Sequence, residues 1–440
     1  MVGNILESVF RSHLFRDSCG VFLLKITSTL LTLISTLILA RLLGVSGYGA
    51  YANAEAWVIM LTPFSTLGLH QLLIREVAIH HNENEWKGIS SLVSFSDRAV
   101  IFASLILIVV AAILGKIIIG SADKTTMLLT LWVALLALPF YSLILLRQST
   151  LAGLQRIILS QVPEMLIRPG ILVFMLVCIK VCASQPLSAP AIFVLNLCAA
   201  IFAFIMGTYY LRTAWPVGGR GVKSNYRIKQ WMHSALPLML IGAMQLTNRK
   251  FDTIMLGAMG TAEAVGIYGA ASRVSWVMAF TLAALNTALA PSISALYYNK
   301  RLHRLEKLLT NASLLTFSVA LFTWFVFIIY GKSIMSLFGD SFECGYSALV
   351  ILSTGILFCT IGASVGLLLM MTGFEKDAAR ATGIAVVVNI ILNFLLIPKY
   401  SYDGAACATA LSTVMLNFLL IFLVYKRIHI NPTVFRSWRR

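Results

Sequence analysis

Residues 248–276 read NRKFDTIMLGAMGTAEAVGIYGAASRVSW. Arg249, Lys250, Asp252 and Arg273 stand here among apolar residues numerous enough to cross a bilayer, which takes about 20 residues of helix. Charges in hydrocarbon are costly and are kept where they face a cavity or serve function. The stretch therefore reads as membrane helix with charges set along an internal path. Its Gly266-x-Tyr268 element also has a counterpart near the N-terminus.

The rest of the chain agrees with a membrane reading. Of 440 residues, 59% are hydrophobic and 12% charged, with a mean hydropathy of +0.87, whereas soluble domains carry roughly 25% charged residues. Apolar runs of about 20 residues recur along the whole length, and about twelve can be counted. The fold class expected is all-α and integral to the membrane, with about twelve transmembrane helices and little chain left for a soluble domain. The net charge of +17 does not point to nucleic acid, because the Lys and Arg residues are spread over short loops. Placing the N-terminus in the cytoplasm puts most of them in the two tails and the even-numbered loops, which makes both termini cytoplasmic. Cys19, Cys178, Cys182, Cys198, Cys359 and Cys407 lie in or beside apolar spans and only Cys344 lies near an outside loop, a pattern of packing residues, not of a disulfide framework or metal site. No Walker-type phosphate loop is present, so the chain itself is not expected to use ATP.

In chain order, residues 1–17 place apolar side chains at helical spacing beside Arg11, Arg16 and Asp17, as an interfacial amphipathic helix does. The first span, about 18–41, carries Lys25, and the second, about 49–71, carries Glu55 and Pro63. Arg75 to Lys87 reads as a solvated cytoplasmic loop; its adjacent His80 and His81 do not share a helix face and make a poor metal pair. Spans three to six follow at about 97–119, 126–149, 162–183 and 188–211. Glu164 stands four residues before Arg168, the favourable order for a helical ion pair. Residues 212–229 are basic and glycine-rich, as a flexible connection is. Six further spans begin near residues 232, 264, 308, 346, 378 and 404, with Pro237 expected to kink the seventh. Asn389 and Asn393, four apart in span eleven, either hydrogen-bond a ligand or join helices.

Gly49-x-Tyr51 corresponds to Gly266-x-Tyr268, and Ala152 to Arg156 corresponds to Thr372 to Lys376, both offset by about half the chain. Two matches in the same order predict two parallel six-helix pseudo-repeats, residues 1–220 and 221–440, around a central cavity with the substrate site near the midplane. Glu55 and Arg273 then occupy nearly equivalent depths on spans two and eight.

At these residues the chain resembles the polysaccharide and O-antigen flippases of the multidrug/oligosaccharidyl-lipid/polysaccharide exporter superfamily. The resemblance is carried by ARLLGVSGYGAYA at 40–52, FDTIMLGAMGTAEAVGIYGAASR at 251–273 and NIILNFLLIPKYSYDGAACATALS at 389–412. It implies a non-enzymatic transporter of the bacterial inner membrane. The cargo implied is undecaprenyl-pyrophosphate-linked oligosaccharide, moved from the cytoplasmic to the periplasmic leaflet, with polysaccharide polymerase and chain-length machinery as further partners. The multidrug branch commonly carries an acid in the first span; here that span offers Lys25.

Moving such a headgroup requires a cavity that replaces its water. Arg grips phosphate oxygens in bidentate fashion and Lys acts as a point charge. Lys25, Arg249 and Arg273, with Lys250 beside them, are the candidate pyrophosphate anchors. Arg249 and Asp252 also share a helix face and could form a structural ion pair. Glu55 and Asp252 are the candidates for coupling to a proton or cation gradient; no cofactor is expected. Two alternatives remain: a multidrug-type cation antiporter, and a non-transporting membrane scaffold for polysaccharide assembly.

Overall fold

A computed structural model describes residues 2–83, 85–119, 124–182, 187–215 and 228–434. The side chains of residues 1–19 and 245–249, among others, lie outside the described set, and so do the predicted amphipathic face of 1–17, most of the glycine-rich connection and Arg436, Arg439 and Arg440. Fourteen α-helices account for nearly all of the described chain. They are α1 (Val2–Thr66), α2 (Leu69–Asn82), α3 (Trp86–Ile119), α4 (Thr125–Leu135), α5 (Leu138–Gly153), α6 (Ile157–Val162) and α7 (Arg168–Cys182). They continue with α8 (Ala189–Ala214), α9 (Ile228–Met259), α10 (Ala262–Tyr298), α11 (Leu302–Ser336), α12 (Tyr346–Thr360), α13 (Val365–Met371) and α14 (Glu375–Ile428). Helix is what the composition demands, because backbone groups in hydrocarbon must be satisfied within the segment.

Among the described residues, seven helices are long and apolar enough to cross a membrane, or eight if α4 and α5, bent by 40° at their junction, count as one. The chain is thus a multi-pass, all-α membrane protein. Its lipid-facing surface is plain on α3, where Phe102, Leu105, Val109, Ile113 and Ile117 are all exposed at the three- and four-residue spacing of one helix face.

Two of the helices are too long for one crossing. The 54 residues of α14 extend about 80 Å at 1.5 Å per residue, against a hydrocarbon core of about 30 Å. Ser401 (φ 50) breaks α14 and Gly44 (φ 66) breaks the 65-residue α1. Span ten is also divided: α12 and α13 are separated around Ser364, which takes φ 65. Pro237 lies inside α9, which continues through it.

One sequence reading is corrected here. Residues 75–82, taken above as part of a solvated loop, belong to α2, in which Leu69, Leu72, Leu73 and Val77 make a buried face against Ile89, Leu92 and Leu146. His81 stacks edge-on with Trp86, while His80 pairs with Glu85 at 3.0 Å.

The chain divides into two compact units, residues 1–43 with 53–243, and residues 44–52 with 244–440. The first is built on the apolar cluster of α2, α3 and α5, joined by Trp231 and Ala235. The second has its own cluster, in which Ile293, Leu305, Leu309, Leu368 and Val424 are buried. The second unit also explains the Gly-x-Tyr repeat. A Cβ added to Gly49 would lie 1.7 Å from the Ala262 carbonyl oxygen, and one added to Gly266 would lie 2.2 Å from that of Val45. The two equivalent glycines pack backbone against backbone, a closeness that side chains do not permit.

Candidate functional site

Asp252 sits on α9 and is 2% exposed. Its carboxylate accepts hydrogen bonds from the Tyr268 hydroxyl at 2.7 Å, the Thr409 hydroxyl at 2.6 Å and, at 3.4 Å, the Asn393 amide nitrogen. Asn393 also donates to Oδ1 of Asn389 at 3.0 Å, and Asn389 donates to Ser412 at 3.1 Å. Three helices supply this network, α14 from both sides of its break: Asn389 and Asn393 lie four residues apart before Ser401, and Thr409 and Ser412 after it. The Asn393 carbonyl oxygen is buried with no hydrogen-bond partner, although most buried polar atoms have one. A carboxylate, an amide oxygen and two hydroxyls thus meet in one buried place, and among the described residues the donors to the carboxylate are neutral.

Asp252, Tyr268 and Thr409 form part of the wall of a cavity of about 420 Å³ within the second unit. Arg273 and Lys250 are half-buried in the same unit, but neither is among the described residues lining this cavity. The Arg249 side chain lies outside the described residues, and so does the Arg249–Asp252 pair considered above. Lys25 and Glu55 are half-buried in the first unit. Of the six residues singled out by charge, the second unit builds a network around Asp252. Tyr268 and Thr409 were missed: single hydroxyls carry no sequence signal, although Tyr268 belongs to the repeated Gly-x-Tyr element. The two asparagines were recognised as a pair, and the structure bonds them to each other and to Asp252.

In the first unit, Tyr141 donates to Asn196 at 3.1 Å, and the Arg168 guanidinium lies 4.3 Å from the centre of the Tyr141 ring. Arg168 donates to Glu164 at 2.7 Å, as the four-residue spacing predicts. The bond spans a turn of π-helix over Pro163–Ile167, a widening often found at functional sites. Glu55 lies within electrostatic reach of Tyr141, which brings that coupling candidate to this cluster. A second pair was not visible in the sequence: Arg147, 7% exposed, grips Asp97 with two bonds of 2.9 and 2.8 Å and donates to Thr208 at 3.2 Å.

His80, Glu83 and Glu85 also bring their ligand atoms within 4.8 Å of one another. Glu83 and Glu85 are exposed, and exposed carboxylates approach one another on solvated surfaces without serving as ligands.

Multi-pass helices around a cavity that holds a buried carboxylate fit the architecture of a membrane transporter. Residues 14–297 match the family model described as polysaccharide biosynthesis protein, and residues 237–395 match the MatE model. The chain belongs to the polysaccharide biosynthesis protein family. It is 25% identical over 428 residues to the probable flippase AglR of Haloferax volcanii, covering 96% of this chain and 86% of that one. It is 29% identical over 162 residues to the probable low-salt glycan biosynthesis flippase Agl15 of the same organism, a match that covers 37% of this chain and spans 34% of that protein. Among solved structures, an inward-facing multidrug resistance MATE family transporter superposes with a TM-score of 0.75 at 14% identity, over 91% of this chain and 94% of the other. That likeness is one of fold.

Proposed function

We propose that the chain is a flippase for undecaprenyl-pyrophosphate-linked oligosaccharide, carrying it from the cytoplasmic to the periplasmic leaflet of the plasma membrane by alternating access. The observation that supports this best is the alignment of nearly the whole chain with a probable flippase. In this reading twelve helices form two six-helix halves, residues 1–220 and 221–440, with both termini cytoplasmic. Dividing α1 at Gly44 and α14 at Ser401, pairing α4 with α5, and adding α9 and α10 to the apolar helices brings the number of crossings to twelve.

Lys25, Arg249, Arg273 and Lys250 hold the pyrophosphate, a role their charge fits and lipid does not otherwise repay. Asp252 couples transport to a proton or cation gradient. A buried carboxylate held by neutral donors keeps a large cost of charge burial, which a proton or a small cation bound beside it removes. The unpartnered Asn393 oxygen supplies one more ligand atom for a cation. Glu55, near Tyr141 and Arg168, is the second coupling carboxylate.

The test is leaflet-resolved detection of the lipid-linked oligosaccharide in cells whose sole copy is the parental chain, Arg249→Ala or Arg273→Ala. The parental chain moves substrate to the outer leaflet, and each variant, inserted in normal amount, reduces that at least tenfold. Normal export by both variants removes the anchor assignment. The match of residues 237–395 to the MatE model favours a second reading, a multidrug-type cation antiporter. That reading predicts drug resistance on overexpression and no change in the leaflet assay.

A further inference from the structure

The cavity of about 420 Å³ in the second unit has a second chemical character, apart from its carboxylate. On α10, Ser272 and Trp276 stand one helical turn apart and both line it, with Asn286 further along the same helix. Thr382 and Thr413 of α14 line it as well. Trp276 is 45% exposed, so a large part of its indole is available to a bound molecule.

The hydrogen-bonding capacity of these groups is asymmetric. Ser364 donates to the carbonyl oxygen of Asn286, which leaves the Asn286 amide nitrogen with two donors and no acceptor among the described residues. The Thr382 hydroxyl donates to the Ala378 carbonyl at 2.9 Å and the Thr413 hydroxyl to that of Thr409 at 2.6 Å. Each threonine oxygen therefore keeps lone pairs for an outside donor. Leu352, Ile356 and Leu416 are among its apolar lining residues.

The Trp276 indole, the Asn286 amide donor and the Thr382 and Thr413 hydroxyl acceptors, set in a largely apolar wall, match a particular kind of molecule. A pyranose ring carries C–H bonds on its flat face and hydroxyls around its rim, so it needs a surface to stack on and a few polar groups at its edge. The volume lies in the range of small-ligand sites, about 300–1,000 Å³. No Lys or Arg is among the described lining residues, and neutral polar groups suit a sugar better than a pyrophosphate. Among the described lining residues the charged one is Asp252, which repels a uronic acid or other anionic sugar.

We propose that this cavity is a subsite for an uncharged sugar ring of the transported oligosaccharide, with Trp276 stacked on the ring and Asn286 donating to one of its hydroxyls. The assignment rests on the flippase reading and separates the place of the sugar from the cationic anchors of the pyrophosphate.

The experiment uses full-length chains as sole copies in cells making the host's own lipid-linked repeat unit, with leaflet-resolved export as readout. Protein amounts are matched, and the level of lipid-linked substrate is varied. Trp276→Ala lowers export at least tenfold at ordinary substrate level and recovers to within threefold when substrate is raised, because the loss is in binding. Trp276→Phe, which keeps an aromatic face, stays within threefold of the parent throughout. Asn286→Ala loses three- to tenfold. Export by Trp276→Ala at the parental rate overturns the subsite. So does a loss shared equally by Ala and Phe that raised substrate does not restore, since that marks a packing role. A parental chain that moves no substrate between leaflets overturns the flippase reading instead, whatever the variants do.

Discussion

In the first unit Arg147 meets Asp97 through two bonds of 2.9 and 2.8 Å and Arg168 meets Glu164 at 2.7 Å, whereas in the second unit Asp252 is met by Tyr268, Thr409 and Asn393. The ion pairs of the first unit join opposite charges inside that unit. In the second, the partners of the buried carboxylate among the described residues are uncharged donors. A pair of opposite charges needs nothing further and can serve packing alone. A buried carboxylate whose described partners are all neutral is the natural place for a proton or cation to bind during the working cycle, and coupling is assigned to Asp252 on that ground.

The largest expected effect tests the structural half of this contrast. Replacing Arg147 by Ala leaves Asp97 without its partner among buried helices, which costs about 3 kcal/mol when a buried pair is broken from one side. The loss is read by SDS titration of the purified protein in mixed micelles. The double variant Arg147→Met with Asp97→Leu removes both charges and returns to within about 1 kcal/mol of the parent, because apolar substitutes of similar size replace buried pairs well. If the double variant is as unstable as the single one, the pair does more than pack.

Next in size is the functional half. Asp252→Asn keeps the shape and most of the hydrogen bonds but removes the titratable charge. Stability in the same titration changes by less than about 1 kcal/mol, as for a neutral hydrogen bond exchanged for a charged one, while gradient-driven export falls at least tenfold. Measuring export against an imposed pH gradient and, separately, a sodium gradient identifies the ion. An Asp252→Asn protein that exports normally under both gradients makes the lone carboxylate a structural oddity and dissolves the contrast.

These expectations also mark what the sequence could tell. The membrane class, the helical content and the helical character of residues 248–276 follow from composition and apolar run length, properties that add up residue by residue. The Glu164–Arg168 pair was visible because helical periodicity places those residues together. Arg147 and Asp97 stand 50 positions apart, so no local period links them, and α2 was hidden because four apolar residues among Arg75, Glu76, His80 and His81 look like a solvated loop until their burial is known. The repeated glycines at 49 and 266 were found as a pattern, but their meaning, two backbones touching, is a fact of packing. Asp252 was picked out for its charge. Its surroundings were not, because Tyr268, Thr409 and Asn393 come from segments far apart in the chain.

The smallest effect comes from the pair that looks most like a partner of the coupling site. Glu164 is 36% exposed and Arg168 18%, so solvent already screens much of their attraction, and exposed pairs at this spacing contribute about 0.5 kcal/mol. Glu164→Gln therefore shifts stability by no more than that. It also removes one carboxylate from beside Arg168, which lies against Tyr141, and Glu55 is within electrostatic reach of the same phenol. If Glu55 takes part in coupling, the change of charge beside it alters the pH dependence of export in Glu164→Gln while the stability of the variant stays near the parent. If export keeps the parental pH profile in this variant, Glu55 has no coupling role, and the first unit is a scaffold of paired charges around a second unit that carries the ion chemistry alone.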